Sequence, residues 1–410
     1  MRPSADITTL RRRLPSSRES SIVQENAHEF SGEKLRKFAV RTIAAIIMFG
    51  VLLVCVFYFE HVGVGCLVSI SACELFRELV SVAHSEVNKE REIPWFRCTL
   101  WSWFFVAMFA AYTADSLQAP LDFAFIVSGL PLFGVPLGRF LGARHYYGLV
   151  GLWMYASSFV ATVASFRPAV LAYQLRALSF TALALSLFVV PMKMMIHNTF
   201  VGLFWFLLPL LLVAVNDSFA YLAGFFFGRK FIKIPFLAIS PNKTWEGFIG
   251  GGIATLVAGL YLPLLLKSQF LTCSYLSIRN ASATTCTPLT LFSRDLGGIT
   301  EIQIHGLALA CFASLVAPFG GFCASSIKRA YALKDFSNII PGHGGLMDRL
   351  DCQFLMALAT FVHLKTFVLK PDPDSAIDNA LQLIQEMDAT DRDVLVSALM
   401  AMRVPISGGG

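Results

Sequence analysis

The chain has 410 residues, 56% of them hydrophobic and only 15% charged, with a formal net charge of +6. Soluble domains carry about 25% charged residues, and a mean hydropathy of +0.63 with 37 Phe leaves too little polar material to cover a water-facing surface. A soluble enzyme, a nucleic-acid reader and a disordered scaffold are thereby excluded, and the expected fold class is an all-α, polytopic transmembrane helical bundle.

Residues 1–41 hold 9 basic and 5 acidic side chains, including Arg11-Arg12-Arg13, and show no apolar period. They read as a disordered basic cytosolic tail. The first apolar run begins only near Phe38, so no cleavable signal peptide is expected. A transmembrane domain follows over 42–370. Runs near the roughly 20 residues that a span needs place helices at 42–59, 63–80, 98–114, 147–166, 170–192, 199–227, 247–266, 303–322 and 352–370.

The stretch 122–141 is also apolar but is broken by Gly129, Pro131, Gly134, Pro136 and Gly138. Nine spans put Lys89, Arg91, Arg97, Arg167, Arg229, Lys243, Lys328 and Lys334 on the side of the basic N terminus, as the positive-inside rule asks. A tenth would separate them, so 122–141 reads as re-entrant or interfacial.

In this topology residues 267–302 face a lumen. They contain the sequon Asn280-Ala281-Ser282 and two cysteines, Cys273 and Cys286, both suited to an oxidising compartment. The endoplasmic reticulum membrane is the expected location. The other seven cysteines lie in or beside apolar runs and read as small buried hydrophobes. Residues 371–410 hold 2 basic and 7 acidic side chains, with Ile377, Leu381 and Ile384 at helical spacing. They form an acidic amphipathic tail in which no chemistry is visible.

Two charge blocks interrupt the membrane domain, and charge in such a place marks function by default. The first holds Asn216-Asp217 within an uncharged run from Thr199 to Gly228, then Ser240-Pro241-Asn242-Lys243-Thr244-Trp245-Glu246-Gly247. Ser240 or Asn242 is positioned to cap the next helix. Lys243 beside that helix start makes a phosphate seat, and Gly247, Gly250, Gly251 and Gly252 suit close helix packing.

The second block runs Ser325-Ser326-Ile327-Lys328-Arg329, Lys334-Asp335, Pro341-Gly342-His343-Gly344-Gly345 and Asp348-Arg349-Leu350-Asp351, with four basic residues and three carboxylates. Carboxylates hold a hard divalent ion through oxygen. Lys and Arg neutralise phosphate and the charge that develops on it. Asp348 and Asp351, three apart, are expected to share a helix face and one metal site. No GxxxxGK[ST] loop occurs, which excludes a P-loop protein.

The string from Ser325 to Asp351 resembles the signature of the phosphatidate cytidylyltransferase (CDP-diacylglycerol synthase) family, S-x-apolar-K-R-x4-K-D-x5-P-x-H-G-G-x2-D-R-x-D, at every fixed position. Asn216-Asp217 with Ala220-Tyr221, and Ser240 to Gly247, are similar to the same family. Pro94-Trp95-Phe96-Arg97 and the two luminal cysteines resemble its eukaryotic branch. The likeness runs from about Lys34 to Lys370. In one respect the chain departs from bacterial members: Gly321 and Ala324 stand where those carry an Asp and a Glu before the signature serine.

The resemblance implies conversion of CTP and phosphatidic acid to CDP-diacylglycerol and pyrophosphate, with Mg²⁺ as cofactor, in a homodimer. Asp348, Asp351 and Asp217 are the expected metal ligands. Lys328, Arg329, Lys334, Asp335, His343 and Arg349 are the expected catalytic set, and Lys243, Ser240, Thr244 and Ser325 the expected substrate contacts. Two rivals use similar charge: a transporter of an anionic substrate and a CTP-dependent lipid kinase. No internal repeat relates 42–192 to 199–370, which disfavours the transporter.

Overall fold

The computed structural model describes residues 36, 39–84, 95–113, 147–234, 236–237, 240, 243–274, 290–292, 294–295, 297–342, 344–369 and 392–393. The segment 122–141, the sequon at Asn280, Cys286, His343, and the C-terminal tail apart from Arg392 and Asp393 lie outside them. The chain divides into two compact units, Met1–Ala359 and Thr360–Gly410.

Among the described residues the fold is helical, with two isolated bridges and no strand. A helix satisfies every backbone polar group within its own segment, as an apolar solvent demands. Besides the short turns Gln269–Thr272 and Thr290–Phe292, the helices described in the first unit are α1 (Ala39–Phe57), α2 (Glu60–His84), α3 (Phe96–Thr113), α4 (Tyr147–Ala164), α5 (Pro168–Val201), α6 (Phe204–Phe227), α7 (Trp245–Leu265), α8 (Glu301–Leu315), α9 (Pro318–Ala330), the single turn α10 (Met347–Leu350) and α11, which begins at Gln353. The described part of the second unit carries α11 on to His363 and into a π turn, Leu364–Val368.

Among the described residues each of the nine predicted runs is mainly helical, though 199–227 is interrupted at Gly202 and 303–322 at Val316–Ala317. Among the described residues five helices are long and apolar enough to cross a bilayer: α1, α5, α6, α7 and the pair α8–α9, taken together as Glu301–Ala330. Phe96–Ala110, Gly148–Ala164 and Gln353–Val368 are apolar but shorter. Helix α2 has the length but carries Glu74, Arg77 and Glu78 near its C-terminal end. Helix α5 runs past its predicted end at 192. Pro191 would ordinarily break it, because proline lacks an N–H and its ring presses on the carbonyl four residues back. A π turn at Leu185–Val189, directly upstream, loosens the helix where the ring must fit. The break falls instead at Gly202.

Two packing centres matter for the site. In the first, Phe76 of α2, Phe96, Leu100 and Phe104 of α3, and Ala177 and Val189 of α5 form a buried cluster, with the Phe76 and Phe104 rings stacked at 4.6 Å. In the second, α7 lies against α6 through its glycines. A Cβ added at Gly251 would lie 2.9 Å from that of Ala220, and one at Gly250 would come closer still to that of Ala223. Gly252 faces Ser314 of α8 across ordinary contact distance, 3.7 Å. Thr255 Oγ1 donates to the buried Asn216 side chain at 3.3 Å, which sets the register of α6 on α7. Gln353 donates to the Leu210 carbonyl at 3.3 Å and ties the start of α11 to α6.

Cys273 is disulfide-bonded, and the other seven described cysteines are free thiols. Burial holds only for Cys352. Cys73, Cys98, Cys311 and Cys323 are exposed on the outer faces of their helices, which a thiol tolerates because apolar helices meet apolar surroundings there.

Candidate active site

Asp217 follows Asn216 on α6 and lines a cavity of about 370 Å³ with Lys243 and Thr244. Tyr221, Phe225, Phe236, Phe248 and Phe322 supply most of the remaining wall. Phe236 stacks on Phe248 with ring centroids 4.8 Å apart and meets Trp245 edge-on at 4.6 Å. The cavity therefore combines one anion and one cation with an aromatic lining.

The start of α7 fixes the mouth of this cavity. Thr244 is extended and its Oγ1 accepts the Gly247 N–H at 3.1 Å, so Thr244 caps the helix rather than Ser240 or Asn242, the latter lying outside the described residues. Ser240 sits half-buried one turn upstream, where its carbonyl accepts the Lys243 N–H at 3.1 Å. Glu246 accepts the backbone N–H groups of Arg229, Phe231 and Ile232 at 3.2, 3.0 and 2.8 Å. It thereby folds the segment after α6 back onto α7.

The second block closes on α9. Ser325 and Lys328 lie three apart on this helix, and the ammonium of Lys328 donates to Asp348 Oδ1 at 2.6 Å. Phe336 and Gly345 each donate a backbone N–H to Asp348 Oδ2 at 3.1 Å. Three of the roughly four acceptor positions of this carboxylate are thus engaged. The Lys328 and Asp348 side chains are 19% and 9% exposed, so the pair is largely withdrawn from solvent. Gly344 has φ +80°, and a Cβ there would meet Asp348 Oδ2 at 3.1 Å and Asp335 Oδ1 at 3.3 Å. Glycine is required on both counts. Arg329, Lys334 and Asp335 are exposed, as is Arg349.

Asp351 ends α10 and faces a different set of partners from Asp348. Its Oδ1 accepts the Cys352 N–H at 2.8 Å, while Oδ2 lies beside Gly321, where an added Cβ would sit 3.3 Å away. Burial pushes the Asp351 carboxyl up to about 6. Hydrogen bonding with Cys352 opposes that rise, the nearby Asp217 carboxylate adds to it, and Lys328 weakens it. Lys243 and Arg349 are the cations that act on Asp217. The structure therefore brings Lys243, Arg349 and Asp351 within electrostatic reach of Asp217, with Lys328 linking Asp351 to Asp348. Among the described residues no group of three His, Cys, Asp or Glu side chains forms a closed metal cage.

One residue at this site was not anticipated. Glu78 of α2 is 2% exposed and bonds to the signature loop through Ser337, Leu346 and Met347. Reading 63–80 as an unbroken span passes over it. The rule that singles out Asp217, a carboxylate inside an apolar run, applies equally to Glu78.

The chain is similar to known proteins over most of its length. The model of the cytidylyltransferase family matches residues 39–367. A probable phosphatidate cytidylyltransferase of Dictyostelium discoideum is 35% identical, over 86% of this chain and 76% of its own length. Mouse phosphatidate cytidylyltransferase 2 is 33% identical over 88% of this chain and 83% of its own. The human protein of that name is 36% identical over 75% and 70%.

Proposed function

Because the chain belongs to the cytidylyltransferase family, we propose that it is a phosphatidate cytidylyltransferase, a multi-pass membrane enzyme that makes CDP-diacylglycerol and pyrophosphate from CTP and phosphatidic acid. The observation that carries this reading is the convergence of an aromatic cavity bearing Lys243 and Asp217 with Lys328 at the end of α9 and the segment holding Arg349 and Asp351.

A phosphate oxygen of the lipid attacks the α-phosphorus of CTP. The bond to the β-phosphate breaks, and its electron pair leaves with pyrophosphate. No covalent enzyme intermediate is needed, so the protein must hold two anions in line and offset their repulsion. That repulsion is about 4 kcal/mol per pair of unit charges at 4 Å in a protein-like dielectric, which the clustered cations answer. Lys243 at the cavity mouth receives the lipid phosphate, while the aromatic wall takes the glycerol end of the acyl chains. Lys328, Arg329 and Arg349 lie against the triphosphate and stabilise the leaving pyrophosphate. Ser325 and His343 are hydrogen-bonding partners for phosphate oxygens.

The donor set fits Mg²⁺, which is commonly held by one or two carboxylates while substrate phosphates and water complete the octahedron. Asp351, raised in pKa and acted on by a second carboxylate, is the leading ligand, and Asp217 its partner. Asp348 keeps one acceptor position and chiefly orients Lys328 and the loop. When bound, Mg²⁺ neutralises phosphate oxygens and polarises the α-phosphorus. The positive-inside pattern supports a site on the cytosolic face, and the disulfide at Cys273 in the opposite loop supports the endoplasmic reticulum membrane.

The test is to supply purified protein in bilayers with CTP, phosphatidic acid and Mg²⁺ and identify the products. Pyrophosphate with CDP-diacylglycerol is expected. Release of CDP would indicate a lipid kinase, and neither product a transporter.

A further inference from the structure

Glu78 and the signature loop are far apart in the chain, yet three donors of the loop converge on this one carboxylate. Ser337 Oγ donates to Oε1 at 2.5 Å, the Leu346 N–H donates to Oε1 at 2.8 Å, and the Met347 N–H donates to Oε2 at 2.9 Å. The two N–H groups belong to the residue before α10 and to its first residue, so the carboxylate seats the turn that carries Asp348, Arg349 and, at its end, Asp351.

A second observation is independent of these bonds. A Cβ added at Gly345 would lie 2.8 and 2.9 Å from the two Glu78 oxygens. Gly345 does not have the positive φ of Gly344, so its backbone does not demand glycine. The space taken by Glu78 does. The two glycines of the His-Gly-Gly element thus answer to different carboxylates: Gly344 to Asp348 and Asp335, Gly345 to Glu78. Glu78 is itself held firmly, because α2 is anchored in the buried aromatic cluster through Phe76 and Val80 on either side of it.

The geometry points to Glu78 as a positioning residue for cytidylyl transfer, one that sets the nucleotide- and metal-facing loop at the correct height against α9 without touching substrate. This rests on the phosphatidate cytidylyltransferase reading. It also separates the two substrates: Glu78 grips the loop bearing Arg349 and Asp351, whereas the lipid-facing Lys243 is set by α6 and α7, which Glu78 does not contact through any of these bonds. Loss of Glu78 should therefore act on CTP and spare phosphatidic acid.

The experiment compares wild type with Glu78→Ala, Glu78→Gln, Gly345→Ala and the double variant Glu78→Ala/Gly345→Ala. Folding is checked by melting temperature and size-exclusion profile, CTP binding is measured at equilibrium without lipid, and KM is determined for each substrate. A displacement of about 1 Å is worth about 10²-fold, so Glu78→Ala should lower kcat/KM for CTP about 10²-fold. It should also weaken CTP binding at least about tenfold and leave KM for phosphatidic acid within about twofold. Glu78→Gln keeps the oxygen that accepts from Ser337 and Leu346 and turns an amide donor toward the Met347 N–H, so it should fall between the two. Gly345→Ala should be impaired alone but add nothing in the Glu78→Ala background, because the oxygens it collides with are gone.

If Glu78→Ala lowers kcat with both KM values and CTP binding unchanged, or if Gly345→Ala costs the same in both backgrounds, Glu78 only stabilises the fold and the inference is overturned. Should Glu78→Ala fail to fold, Glu78→Gln and Gly345→Ala carry the same test, and unchanged CTP binding in both would overturn it. A wild type that makes no CDP-diacylglycerol overturns the underlying reading instead.

Discussion

Replacing Asp351 by Asn should stabilise the protein while destroying its function. The carboxyl is pushed from 3.8 to about 6, chiefly by burial and then by Asp217. At about 1.36 kcal/mol per pH unit, that rise corresponds to about 3 kcal/mol of folding free energy lost when the group is ionised in the native state. Because the folded pKa lies above the unfolded one, the penalty is absent below about pH 4, grows between about pH 4 and 6, and is complete above about pH 6. Asparagine has the same shape, still accepts the Cys352 N–H and carries no charge. In EDTA at pH 8, Asp351→Asn should therefore melt higher by about 3 °C, since a chain of this length gains roughly 1 °C per kcal/mol. The gap should close on titration toward pH 4. It should also shrink or reverse with millimolar Mg²⁺, which binds the native carboxylate and not the amide. Carboxylates remote from Asp351 titrate alike in both proteins and cancel. A variant that melts no higher than wild type in EDTA at pH 8, or a gap independent of pH, would refute the argument.

Two further changes probe the same centre. Lys328→Met strands Asp348 with two backbone donors and no cation. It should destabilise the fold by about 2 kcal/mol, below the roughly 3–5 kcal/mol for a fully buried pair, and slow turnover at least about 100-fold; denaturant titration and initial rates measure both, and an unchanged midpoint would show the pair to be superficial. Gly321→Asp restores the carboxylate of the bacterial pattern beside Asp351 Oδ2. It should lower the melting temperature in EDTA, recover it with Mg²⁺ and reduce the half-saturating Mg²⁺ concentration; insensitivity to Mg²⁺ would mean that position 321 does not face the cation.

What was legible in the sequence, and what was not, follows from the range of the interactions involved. Apolar length marks each helix because every residue contributes to it, and Asp217 and the Ser325–Asp351 string stand out because charge and glycine interrupt that background. Helix α5 runs beyond 192 because a π turn, which carries no residue signature, accommodates Pro191 within it. The cap of α7 fell to Thr244 instead of Ser240 because capping depends on which residue is extended immediately before the first turn. Asp348 and Asp351 keep helical backbone three residues apart, as their spacing implies, but spacing says nothing of partners: Asp348 is taken by Lys328 and the loop, Asp351 by Cys352. Glu78 was hidden for the simplest reason: its donors lie 259 to 269 residues away along the chain.

The most direct test of the account follows the phosphates of CTP. With CTP labelled at the α-phosphate, wild-type protein, phosphatidic acid and Mg²⁺, the label should enter the lipid one-for-one with pyrophosphate released, and Asp351→Asn should abolish both. Label entering the lipid only from the γ-phosphate, with CDP released, would contradict the account.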